Sequence, residues 1–153
     1  MSRAFVKEQD GDDVIDDLPD RQISEHPNLV TAAGLAAIDA ELARLQTELA
    51  DTTDDRVLRA RVMRDLRYWQ ARRATAEPVP SPVDATEVRF GSTVTIERDD
   101  GRRQTWRIVG EDEADPANGT VSYVSPLARA LVGKLIGDVV EVAGNEAEIV
   151  GIA

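Results

Sequence analysis

The chain has 153 residues, no cysteine and a formal charge of −11, from 29 acidic against 18 basic residues. That length holds one ordinary domain or two small ones with a real core. The missing cysteines exclude disulfides, thiolate metal sites and thiol catalysis, and the acidic balance argues against general affinity for nucleic acid, which needs a basic face.

The amino end, MSRAFVKEQDGDDVIDDLPD, alternates charge with isolated apolar residues and lacks the continuous hydrophobic run of a signal peptide. No later stretch is long enough to span a bilayer, so a cytoplasmic protein with no membrane partner is expected. Residues 1–30 are acidic, poor in aromatics and broken by glycine and proline. Such a segment buries too little to offset its ordering entropy and reads as a mobile tail. His26, the only histidine, has no histidine partner for a metal and no nearby serine and acid, so it reads as a turn residue.

From Thr31, a plausible helix cap, the pattern changes. Leu35, Ile38, Leu42, Leu45 and Leu49 recur at alternating spacings of three and four, the seam of a coiled coil. The period breaks at ADTTDDR, whose short polar side chains favour turns, and resumes with Leu58, Val62, Leu66 and Trp69. Prolines at 78, 80 and 82 end it. The spacing predicts an antiparallel helical hairpin over 31–77 and a linker over 78–86.

Two features of the hairpin carry charge. Arg56, Arg61, Arg64, Arg67 and Arg72 are expected to point away from the second apolar stripe as a basic ridge. They read either as a solvated face paired with Asp39, Glu41 and Glu48, or as a contact for an acidic protein or for phosphates held by a larger partner. At the tip, Asp51, Asp54 and Asp55 read either as turn formers, with Asp54 or Asp55 capping the second helix, or as carboxylates able to share a Mg²⁺ ion.

After the prolines the chain turns to strands. TVTIER and QTWRIV alternate apolar and polar residues around DDG, a hairpin signal with Gly101 supplying a positive φ. A loop, the strand TVSYV, a short helix, the strand DVVEV and a last strand near EIVGI follow. In the short helix Ser125 is the cap, Pro126 suits the first position and Gly133 ends it. Val139, Val140 and Val142 read as a mostly buried strand, and Phe90, Trp106 and Tyr123 as core aromatics within strands. The whole is a small α+β domain over 87–153, with about five mostly antiparallel strands and one helix. No phosphate-cradling glycine loop is present.

The segments FGSTVTIE, RIVGEDEAD, NGTVSYVSPLARALVGK and GDVVEV, in that order and spacing, closely resemble the carboxyl-terminal domain of the GreA/GreB transcription elongation factors. The leader MSRAFVKE, with LPDR, HPNLVT and GLAAIDAEL, resembles the GreB side of that family. The resemblance implies an amino-terminal coiled-coil hairpin followed by a domain of FKBP-like topology. It also implies a partner, RNA polymerase, on which the globular domain docks at the secondary-channel rim while acidic tip residues help hold the second catalytic Mg²⁺ that cleaves backtracked RNA. Ser125, Pro126, Ala128, Arg129, Gly133 and Lys134 carry the family motif and become candidates for docking.

The departure lies in the hairpin. The family's typical tip has glycine, aspartate and leucine, then Glu-Asn-Ala-Glu-Tyr, where this chain has ADTTDDR. The hairpin is also shorter by roughly ten residues per helix, a deficit on the order of 15 Å at the α-helical rise. The expectation is therefore a monomeric polymerase-binding regulator of elongation, not itself an enzyme, without cofactor, meeting nucleic acid only within the transcription complex. The alternative is an active cleavage factor with a weak Mg²⁺ at the tip aspartates. Less favoured readings are a regulator of a different protein and an FKBP-like prolyl isomerase, whose site needs a deep aromatic-lined pocket.

Overall fold

The computed structural model describes residues 18–153. They form two compact units, one from 18–23 with Asp39–Ala74, the other from Ser24–Ile38 with Thr75–Ala153. The apolar periods of the sequence form two helices of 20 residues each, α1 over Ala32–Asp51 and α2 over Arg56–Thr75.

In the first unit the helices meet through Leu45, Val62 and Leu66, with Leu42, Leu49 and Trp69 packed around them. This is the predicted seam, with one change at each end of α2. Leu58, in its first turn, stays 37% exposed while Ala60 and Val62 are buried. Arg72, expected on the outward ridge, is only 2% exposed. It follows Trp69 by three residues, and residues three apart share a helix face, so it belongs to the flank of the seam.

The second unit is built on a sheet of five strands: β3 (Thr93–Arg98), β4 (Arg103–Val109), β5 (Thr120–Ser122), β6 (Val139–Val142) and β7 (Asn145–Ile152). Their spatial order is β5-β4-β3-β7-β6, antiparallel throughout except where β4 meets β5. The alternation of TVTIER places Val94 and Ile96 wholly inside, against Ile108, Ile149 and the inner side of α3 (Pro126–Leu131) at Ala128 and Leu131. Burying each large aliphatic side chain stabilises by roughly 1.5–3 kcal/mol, so these positions hold the unit together. Gly101 turns β3 into β4 at φ 81° as expected. The aromatics are distributed differently from the sequence reading: only Trp106 lies within a strand. Tyr123 follows β5 and Phe90 precedes β3, the two rings meeting edge to face at 5.7 Å.

Two further strands, β1 (Leu29–Val30) and β2 (Glu77–Pro78), pair in parallel. The Glu77 N–H donates to the Asn28 carbonyl at 2.8 Å and the Val79 N–H to that of Val30 at 2.9 Å, while the Asn28 amide reaches the Thr75 hydroxyl at 3.2 Å. Residues 24–30, assigned to a tail by composition, are thus part of the second unit, with Asn28, Val30 and Thr31 buried. Residues 18–23 of that tail belong to the first unit, and the part of the reading on 1–17 falls outside the described residues. Gly110 explains how β1 fits: a Cβ there would lie 2.4 Å from the Leu29 carbonyl oxygen, a backbone atom that cannot turn aside. Thr31 then caps α1, accepting from the Gly34 N–H at 2.9 Å and donating to the Glu113 carboxylate at 2.6 Å.

Candidate functional site

At the tip of the hairpin, one aspartate is committed to structure. Asp55 accepts the Leu58 N–H at 3.0 Å, the N-cap contact that satisfies one of the donors left open at the start of α2. Thr52 donates to the Glu48 carbonyl at 2.7 Å and its own carbonyl accepts from Arg59 at 3.4 Å, which ties the turn to both helices. Asp51 and Asp54 stay exposed. Among the described residues no three acidic, histidine or cysteine side chains come together as a group that could hold a metal ion.

Arg73 reaches Asp39 at 2.6 Å, but Glu41 and Glu48 are both taken by Arg44 of their own helix, at 2.6 and 2.9 Å. The hydrogen bond from Arg44 holds the Glu41 carboxyl below its ordinary range, against the opposing effect of burial. Arg67 pairs with Asp20 and Arg64 lies 3.6 Å from Asp65; Arg56 and Arg61 lie exposed in the tip half of the helix.

In the second unit, the six residues of the Ser-Pro-x-Ala-Arg motif and its glycine exit divide by task. Ser125 accepts the Ala128 N–H at 3.2 Å and Pro126 fills the first helical position, so the pair starts α3. Ala128 is fully buried and belongs to the core, which removes it from any docking surface. Gly133 adopts φ 84° and donates its N–H to the Val88 carbonyl at 2.8 Å, while the Val88 N–H returns to Lys134 at 2.9 Å. That clasp fixes the exit of α3 and leaves Pro126, Arg129 and Lys134 exposed.

Beside these charges lies an apolar patch that sequence reasoning missed. Val132, Leu135, Ile136 and Val139 are 45, 50, 57 and 59% exposed. The strand expected to be mostly buried alternates instead, so that Val140 and Val142 face the core and Val139 faces out. The signal was present in LVGKLIGDV, where two glycines bracket apolar residues too close to a turn to be buried together. On the neighbouring side a groove of about 480 Å³ is lined by Leu29, Phe90, Tyr123, Val132, Arg129 and His26. His26 is exposed there, its N–H bonded to the Ser24 hydroxyl at 3.2 Å.

The described residues thus form a helical hairpin and an α+β unit whose surface beside the capped short helix is apolar and basic. The family profile "Transcription elongation factor, GreA/GreB, C-term" matches residues 83–152. Transcription elongation factor GreA of Methylobacterium sp. (strain 4-46) is 37% identical over 149 residues, covering 80% of this chain and 94% of that protein. GreA of Hyphomonas neptunium is 55% identical over 64 residues, 41% of each chain. The chain belongs to the GreA/GreB family of transcription elongation factors. Among solved structures it is similar to the elongation factor GreA/GreB from Nitrosomonas europaea, at a TM-score of 0.42 and 20% identity over 82% of this chain and 98% of that one. No helix among the described residues is long and apolar enough to cross a membrane.

Proposed function

We propose that this protein regulates transcription elongation by docking on RNA polymerase at the secondary-channel rim through the surface around α3, without itself supplying a ligand to the cleavage metal. The observation that carries the docking half is the patch of Val132, Leu135, Ile136 and Val139 flanked by Arg129 and Lys134. Exposed apolar clusters of this kind, rimmed by charge, mark protein interfaces, with the charges steering encounter and register.

The tip supports the second half. Metal-assisted hydrolysis needs carboxylates at bonding distance, but Asp55 is engaged in the helix cap and the glutamate-bearing run of typical cleavage factors has no counterpart in ADTTDDR. A tip short by on the order of 15 Å falls outside metal-ligand reach in any case. The protein is then a modulator that occupies the channel entrance, not a catalyst.

The test is capture of core RNA polymerase by the full chain and by the Arg129→Ala/Lys134→Ala variant. Both side chains are exposed, so circular dichroism is expected to be unchanged and polymerase binding weakened at least about tenfold. A folded double variant that binds polymerase as well as the parent places docking elsewhere.

A further inference from the structure

Strand β6 is outermost in the five-stranded sheet and pairs only with β7. The Ile149 N–H donates to the Asp138 carbonyl at 2.9 Å, and along an antiparallel ladder such bonded positions alternate with unbonded ones. Val140 and Val142 therefore bond to β7, while the N–H and C=O groups of Val139 and Glu141 point away from it. None of these outward groups has a hydrogen-bond partner among the described residues. Between this open edge and the start of α3 lies an apolar groove of about 360 Å³, lined by Val121, Pro126, Leu127, Glu141 and Val142.

The outward face of the same strands is acidic. Glu141 stands directly opposite Glu146, and Glu148 opposite Glu97. Arg103 pairs with Glu97 at 2.8 Å, but Glu141, Glu146 and Glu148 have no cationic partner among the described residues. Like charges directly across a ladder repel, and a cation laid beside them relieves the repulsion. Pairing two β6 edges from two copies would double the acidic face, so charge opposes a second copy as the occupant. A strand of another protein added to the edge sets alternate side chains into the groove and onto the acidic face. We propose that β6 and its groove are a slot for strand addition, filled by an extended segment of another protein in which apolar residues alternate with lysine or arginine. This goes beyond the docking reading, uses the backbone edge instead of the Arg129 and Lys134 charges, and is tested separately from it.

The probe is a fluorescein-labelled peptide, Lys-Val-Lys-Val-Lys-Val, followed by fluorescence anisotropy with the full chain. Added antiparallel, its lysines lie opposite Val139 and Glu141 and exchange the edge hydrogen bonds. Methylating the lysine backbone nitrogens keeps every charge and is expected to weaken binding at least about tenfold. Methylating the valine nitrogens, which face away, leaves binding within about twofold. Proline is tolerated on an edge strand where the N–H faces solvent, so Glu141→Pro removes an outward donor without breaking the ladder to β7. It is expected to weaken binding about tenfold with an unchanged circular dichroism spectrum, and Glu141→Gln, which keeps the donor, about two- to threefold. The two methylated peptides, compared on the parent chain, keep the test independent of how Glu141→Pro folds. Equal binding of both overturns the proposal, because charge alone would then hold the peptide. So does binding that is lost in Arg129→Ala/Lys134→Ala but kept in Glu141→Pro, or a dimer in sedimentation that Glu141→Pro dissolves.

Discussion

Ala143 illustrates how a single position can work against an otherwise consistent element. It is the one non-glycine residue among those described with positive φ, at 53°, and Gly144 follows at 78°. The two form the turn between β6 and β7, where Val142 pairs with Asn145, and a two-residue turn with both φ values positive favours asparagine at the first place. A left-handed alanine costs roughly 1 kcal/mol, and asparagine tolerates the region better. Ala143→Asn is therefore expected to raise the urea midpoint with an unchanged slope, a gain of roughly 0.5–1 kcal/mol. A lowered midpoint would show that the turn is not the source of strain. The same scale separates the motif residues: Ala128 belongs to the core and Gly133 to the exit of α3, while Arg129 and Lys134 stay exposed.

Among the elements, those with a strong period or a strong cap were legible in the sequence. The seam of the hairpin, the alternation in β3, and the Ser125, Pro126 and Gly133 signals of α3 all appear where their local chemistry put them. The pairing of β1 with β2 was not legible, because two-residue strands have no period and their partners lie 48 residues apart, Leu29 opposite Glu77. Nor was the contact of 18–23 with α2, which rests on ion pairs between segments 44 to 47 residues apart. The burial of Arg72 was not legible when helical periodicity at about 100° per residue grouped it with the outward arginines, although its spacing of three from Trp69 puts it beside the seam. The tip offers an element-scale test. Asp55→Ala should cost about 1 kcal/mol by loss of the cap, whereas Asp51→Ala and Asp54→Ala should stay within about 0.5 kcal/mol, as exposed substitutions do. Equal effects of all three in thermal or urea melts would contradict a capping role specific to Asp55.

For the whole molecule, membership in the GreA/GreB family makes transcription elongation the setting, and the proposed non-cleaving role turns on the hairpin tip. On the proposed reading, a docked chain whose carboxylates fall short of the catalytic metal excludes other ligands of the same channel entrance by mass action without adding cleavage of its own. Asparagine caps a helix about as well as aspartate, so Asp51→Asn/Asp54→Asn/Asp55→Asn removes the tip charges while keeping the start of α2 intact. The decisive measurement is transcript cleavage in a backtracked RNA polymerase complex, with the parent, the triple variant, and the parent added against an active Gre factor. The expected result is little cleavage by parent or variant and progressive inhibition of the active factor as the parent concentration rises. Strong cleavage by the parent that the triple variant loses would mean that the tip reaches the metal, and would contradict the non-cleaving role.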